Sequence, residues 1–150
     1  MKVEDMERRL DEQEQYSRRN NIRVVGLEEN ADVSAFLKDK LDINVEDNIE
    51  EYHPVGRKTS DRKKRQIIVK LKNYATKSLI MGKRFRLKES GFFIDDDLTK
   101  TRNQYAQSCR SLKKEKKIKD TWIWHGNVLV KLNDGSTTRI LSQNDIDQLA

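Results

Sequence analysis

The chain is 150 residues long, enough for one medium domain or for two small ones plus a helical arm. Hydrophobic residues make up 35% and charged residues 37%, so the core is modest or divided, yet apolar residues recur too regularly for a disordered chain. A single cysteine, Cys109, excludes an intrachain disulfide and fits a reducing compartment, and no apolar run has the length of a membrane span or a signal-peptide core.

The formal net charge of +6 is unevenly spread. Residues 1–56 hold 8 Lys/Arg and 15 Asp/Glu, a net of −7. Residues 57–88 hold 13 Lys/Arg against one acid, Asp61, a net of +12, and residues 89–150 come to +1. A concentrated positive block is the usual footprint of a polyanionic partner.

In chain order, residues 3–19 read as the end of a long helix. Val3, Met6, Leu10, Gln13 and Ser17 alternate at spacings of three and four, which is heptad spacing with only its first three positions apolar. A lone helix this polar is marginal in water, so it reads as the end of a coiled coil that begins upstream. Ile22–Leu27 reads as a strand with Ile22 and Val24 on one face and Arg23 and Val25 on the other, closed by Gly26. Asp32 caps a helix to about Leu41 with Val33, Phe36, Leu37 and Leu41 as its apolar stripe. Residues 49–57 read as a second strand, which Pro54 confines to a sheet edge or a bulge. Residues 58–65 are a charged loop and 66–72 the clearest strand in the chain, rich in β-branched residues. Asn73 caps a helix over 74–84 with Ala75, Leu79 and Ile80 on its apolar side, and Phe92-Phe93-Ile94 is a short fourth strand. Strand, helix, strand, strand, helix, strand is the ferredoxin-like βαββαβ order of the RNA recognition motif.

From Asp97 a new unit begins. Asp97 or Thr99 caps a helix over roughly 99–117 with Tyr105, Ala106, Cys109 and Leu112 on one side. Trp122–Leu132 reads as a hairpin turning at Gly126-Asn127. A third strand follows over Thr137–Leu141, and Asn144 caps a last short helix. The expected organisation is a coiled-coil end over 1–20, a ferredoxin-like domain over 21–96 and a small α+β subdomain over 97–150.

The chemistry lies in the basic block. Its candidate phosphate ligands are Arg57, Arg62, Lys63, Lys64 and Arg65 on the loop, Lys70 on the strand, and Arg84 and Arg86 after the second helix. An RNA recognition motif stacks bases on aromatics of its first and third strands. By strand parity Arg23, Gln66 and Ile68 stand at those positions, so that platform is missing and the planar guanidinium of Arg23 replaces it. Arg18 and Arg19, where the first helix meets the first strand, are balanced between phosphate contacts and pairing with Asp11, Glu12 or Glu14. The lysines of 113–119 fit a solvated helix end as well as an RNA contact. Trp122 and Trp124 share a face, where packing in the small core is favoured over base stacking.

No catalytic residue, metal or cofactor is expected. His53 and His125 stand alone, no Gly-rich phosphate loop or nucleophile elbow occurs, and Asp95-Asp96-Asp97 reads as a capping segment rather than a cation site. These features leave three classes open: a sequence-tolerant binder of single-stranded RNA or DNA, a coiled-coil protein-interaction scaffold associated with a capsid or nucleocapsid, and, least favoured, a metal-dependent nuclease.

Tyr16–Leu27 closely resembles the coiled-coil-to-RNA-recognition-motif junction of the first-reading-frame proteins of LINE-class non-LTR retrotransposons. Gln66–Leu71 followed by Tyr74 is similar to that family's central strand. Asp97-Leu98-Thr99 with Arg102 resembles the start of its C-terminal domain, and the Trp122–Leu132 hairpin is similar too. A related domain occurs in a baculovirus nucleocapsid-associated protein. The resemblance implies a homotrimeric coiled coil, and an RNA recognition motif and C-terminal domain that together clamp single-stranded RNA. It also implies nucleic-acid chaperone activity and a ribonucleoprotein particle in the cytoplasm, with a nuclear presence also compatible. Carried over by position, its ligand residues are Arg18, Arg19, Arg23 and Arg102. One departure is His53-Pro54-Val55-Gly56, where the family has arginine after histidine; Arg57 is the candidate substitute.

Overall fold

Two apolar periodicities resolve into two separate cores. The computed structural model describes residues 2–56 and 64–150, and shows a mixed α+β protein with two antiparallel sheets. Residues 20–97 form a central unit; residues 1–19 and 98–150 together form a second, terminal unit.

The central unit runs β1 (Asn21–Val25), α2 (Val33–Leu41), β2 (Ile49–Pro54), β3 (Ile67–Leu71), α3 (Tyr74–Lys83) and β4 (Phe93–Asp96). Its strands lie in the order β2-β3-β1-β4, every neighbour antiparallel. Strand alternation sends Ile22, Val24, Ile67, Val69, Leu71 and Ile94 to one face, where Val33, Phe36, Leu37 and Leu41 of α2 and Ile80 of α3 join them in one core. Both helices start where the sequence places their caps: Asp32 accepts from the Ala35 amide and Asn73 from the Thr76 amide. β2 is the edge strand that Pro54 requires, with a register shift between Ile49 and Glu51, and it ends at Pro54 rather than at residue 57. Gly26, at φ +97°, closes β1, and a Cβ there would lie 2.8 Å from the Gly91 carbonyl oxygen.

The buried side of α3 differs from expectation. Ala75 and Leu79 are exposed, and Lys77 is buried beside Ile80. Its Nζ lies 2.5 Å from Asp96 Oδ1, both side chains nearly out of solvent. One cation of the basic block thus has both its stem and its charge consumed inside.

The terminal unit joins α1 (Val3–Ser17) to α4 (Lys100–Lys114), β5 (Asp120–Trp124), β6 (Asn127–Lys131), β7 (Thr137–Arg139) and α5 (Gln143–Leu149), with the sheet in the order β5-β6-β7. Ala106, Cys109 and Leu112 of α4 and Ile146 of α5 pack with Val128, Val130 and Ile140. Thr99 caps α4 by accepting from the Arg102 amide; Asp97 does not. α5 starts two residues earlier than expected, at a reciprocal cap in which Ser142 accepts from the Asp145 amide and Asp145 from the Leu141 amide.

The hairpin turns one residue earlier than expected. Trp124 pairs with Asn127, so His125 and Gly126 form the two-residue loop, at φ 49° and 78°. Two positive φ values match the right-handed twist of the flanking strands, and histidine accepts the first of them. The tryptophans are also not core residues. Ile123 leans on the helix side, while Trp122 and Trp124 are 37% and 58% exposed on the other.

Replacing Lys77 by alanine leaves the Asp96 carboxylate buried and unpaired, and should cost about 3–5 kcal/mol in urea unfolding. The double replacement Lys77→Met, Asp96→Leu should recover most of that loss, because it removes both charges at similar volume.

Candidate nucleic-acid interface

The face of the first sheet opposite α2 and α3 carries Asn21, Arg23 and Val25 of β1, Ile68 and Lys70 of β3, and Phe93 and Asp95 of β4. Register puts His53, Ile68, Arg23 and Asp95 in one row, and Val25 opposite Phe93 in the next. Arg23 is held from two sides: its Nε donates to Asp97 Oδ1 at 2.9 Å and its Nη1 to Gln66 Oε1 at 3.1 Å. Asp97 is buried and also accepts from the Asn21 side chain at 3.0 Å. A buried carboxylate thus orients the guanidinium, while part of that side chain stays accessible.

The acidic triplet is divided by strand parity. Asp95 is exposed 3.8 Å from Arg84, Asp96 is buried with Lys77, and Asp97 is buried under Arg23. Among the described residues, no three His, Cys, Asp or Glu side chains converge as metal ligands.

The basic block is less free than its sequence indicates. Lys64 pairs with Glu28 at 2.9 Å and donates to the Gly26 carbonyl. Arg65 makes a two-pronged contact with Glu29 and donates to the Gly56 carbonyl, and the Glu29 hydrogen bond raises its pKa. Lys70 lies 3.9 Å from Glu50. Arg84 donates to the Ile94 carbonyl and Arg86 to the Leu41 carbonyl. Arg57, Arg62 and Lys63 lie outside the described residues. Residues 20–97 as a whole hold 16 Lys/Arg and 14 Asp/Glu, so much of the +12 segment meets acids from either side of it in sequence.

Arg18 and Arg19 part ways. Arg18 donates to Glu14 at 2.8 Å and to the Leu98 carbonyl at 3.1 Å, so its pairing is intramolecular. Arg19 is exposed, with its guanidinium 4.0 Å from the centre of the Tyr16 ring.

Arg102 sits inside the terminal unit rather than on open surface. Its Nε donates to Asp11 Oδ2 at 2.8 Å, and its Nη1 to the Gly126 carbonyl at 2.8 Å and Asn127 Oδ1 at 3.3 Å. Thr99 Oγ1 donates to the other oxygen of Asp11, and the Thr99 amide donates to buried Gln15. One arginine therefore ties α1, the first turn of α4 and the hairpin loop together. A Cβ on Gly126 would meet the Gln15 side chain at 3.0 Å, so the loop glycine serves the turn and the docking of α1 at once.

Two aromatic features depart from the sequence expectation, which gives Phe93 no exposed role and favours core packing over base stacking for Trp122 and Trp124. Phe93 is 60% exposed on the first sheet's Arg23 face, and an open groove of about 450 Å³ beside it is lined by Met81, Phe85, Leu87 and Phe92, with Arg84 at its edge. Strand parity counted from buried Ile94 was the signal for Phe93. The second feature is the pair of exposed tryptophans on the second sheet. No protein-family model matches the chain, and no curated protein sequence matches it. Among the described residues no helix is long and apolar enough to cross a membrane.

Cys109 is fully buried against the second sheet, and burial pushes its thiol pKa up, so the thiol stays protonated and slow toward alkylating reagents near neutral pH. Arg102→Ala should destabilise the terminal unit by about 3–5 kcal/mol in urea and raise the alkylation rate of Cys109. Lys100→Ala, on the exposed side of α4, should leave both unchanged.

Proposed function

We propose that this chain binds single-stranded nucleic acid, RNA foremost, with little sequence preference and without catalysis, as a chaperone-like subunit of a ribonucleoprotein particle. In this reading residues 21–96 are a ferredoxin-like RNA recognition motif, and the protein is similar to the RNA-binding first-reading-frame proteins of LINE-class retrotransposons. The observation that carries the reading is the Arg23 face: a four-stranded antiparallel sheet with both helices on the far side, a guanidinium braced at its centre by Asp97 and Gln66, and exposed Phe93 on the adjacent strand. A fixed planar cation stacks on any base and meets any phosphate, which gives affinity without a base code. Lys64, Lys70, Arg84 and Arg86 add positive charge within the same unit, and Arg19, Arg57, Arg62 and Lys63 are further candidate phosphate ligands by sequence. Arg18 and Arg102 hold the frame and contribute indirectly. The particle is cytoplasmic in this reading.

α1 supplies self-association. Val3, Met6 and Leu10 are 68%, 51% and 65% exposed at heptad spacing, and a helix this polar gains most from copies of itself along that stripe. By resemblance the assembly is a trimer. Leu10→Arg should reduce the mass seen by light scattering to that of one chain.

Binding of a mixed-sequence single-stranded RNA should weaken by at least about a hundredfold between 50 and 200 mM salt, because each neutralised phosphate releases counterions. Arg23→Lys, which keeps a charge for buried Asp97 but removes the planar guanidinium, should weaken it at both salts while leaving the urea midpoint close to wild type. Affinity independent of salt, or no affinity at 50 mM, would overturn the reading.

A further inference from the structure

The second sheet presents a face on which α4 and α5 do not pack, bordered at the edge near Asn127 and Arg139 by Arg8, Asp11 and Glu12 of α1. α4 and α5 pack on the side of Val128, Val130 and Ile140. Register places Trp122, Leu129 and Arg139 in one row across the opposite side, Asp120, Lys131 and Thr137 in the next, and Trp124 with Asn127 in a third. The two indoles stand two residues apart on one strand, so their attachment points are about 6.8 Å apart. Both are exposed, Trp124 more than half, in positions where an apolar core would have hidden them. The His125 ring stands edge-on to Trp124, with centroids 4.1 Å apart, and limits where that indole can turn.

We infer that Trp122 and Trp124 form a second stacking platform, on which successive bases of a single-stranded nucleic acid lie while Lys131 and Arg139 take the adjoining phosphates. The inference rests on the nucleic-acid reading above and adds a site to it. Charge decides the occupant. Asp120 is the acid that register puts on this face, and Lys113 holds its carboxylate at 2.9 Å. Lys131 and Arg139 share the face, and Lys114, Lys116, Lys117 and Lys119 are exposed where α4 runs into β5. A purely apolar protein partner leaves those cations unmatched; a phosphodiester strand matches them and offers π-faces to the indoles. Stacking on flat rings reads no base edge, in keeping with sequence-tolerant binding.

Trp122 and Trp124 are the chain's only two tryptophans, so emission excited selectively in tryptophan, away from the four tyrosines, reports on this platform alone. Binding of a labelled mixed-sequence 20-nucleotide RNA is followed by anisotropy, and tryptophan emission is followed in parallel with the unlabelled strand. Emission should be quenched with the same midpoint as the anisotropy change. An abasic strand of equal length and charge should bind more weakly and leave emission unchanged. Trp122→Ala with Trp124→Ala should weaken binding about tenfold or more, and the corresponding phenylalanine pair should restore most of it, which also covers failure of the alanine variant to fold. Binding by anisotropy with no change in emission would overturn the platform and leave the nucleic-acid reading standing. No binding in either signal at 50 mM salt would overturn both.

Discussion

The ion pair between Arg102 and Asp11 is the constraint on which the terminal unit depends. α1 is a 15-residue helix with one fully buried side chain, Gln15. Such a helix has neither the propensity nor the apolar area to persist alone. What holds it is polar: Asp11 to Arg102 and Thr99, Gln15 to the Thr99 amide, Arg18 to the Leu98 carbonyl. Helix starts leave amides unsatisfied and hairpin loops leave carbonyls unsatisfied. α1 brings an acceptor to the first, and Arg102 brings donors to the second. The docking fixes which side of α1 is spent, and Val3, Met6 and Leu10 fall on a side that remains exposed.

That arrangement explains why the helix was only half legible. Val3, Met6 and Leu10 at heptad spacing identify an apolar stripe, and they are exposed in this chain. The contacting residues, Asp11, Gln15 and Arg18, also recur at helical spacing, but polar residues at that spacing are the normal content of any solvated helix face. Nothing in composition marks them as ligands for a cap and a turn. The same limit applies to Arg102. Its side chain reads as a surface cation until three partners from distant segments surround it.

Legibility followed the strength of local physics. Asp32, Asn73 and Thr99 cap where short polar side chains precede apolar stripes, and the alternation of Ile22–Val24 and Ile67–Val69–Leu71 assigns each core residue to its face. Failures came where a residue type has two outlets. Lys77 can spend its long stem inside when an aspartate waits there, while Leu79 goes to solvent. Trp122 and Trp124 share a face by parity, but parity does not say which face is covered; Val128, Val130 and Ile140 on the neighbouring strands settle it. The hairpin loop shifted by one residue because histidine occupies a left-handed position that Asn-Gly statistics assign elsewhere.

Net charge along the sequence is a weaker witness than it first appears. The block 57–88 is nearly free of acids, but the strands beside it in space come from acidic segments. Glu28, Glu29, Glu50, Asp95 and Asp96 all stand within ion-pair distance of its members. Apart from the buried Lys77–Asp96 pair, these pairs reach solvent and are worth little to stability, so their carboxylates would compete only weakly with a phosphodiester for the same cations. Arg65, gripped twice by Glu29, is the least available of them, and Arg23 cannot be drawn away without taking the cation from a buried carboxylate. In the proposed function Arg23 would therefore meet a ligand in place rather than by reaching for it. A cation fixed in this way contributes position as well as charge, and a nucleic-acid strand lying over the sheet would be centred on it.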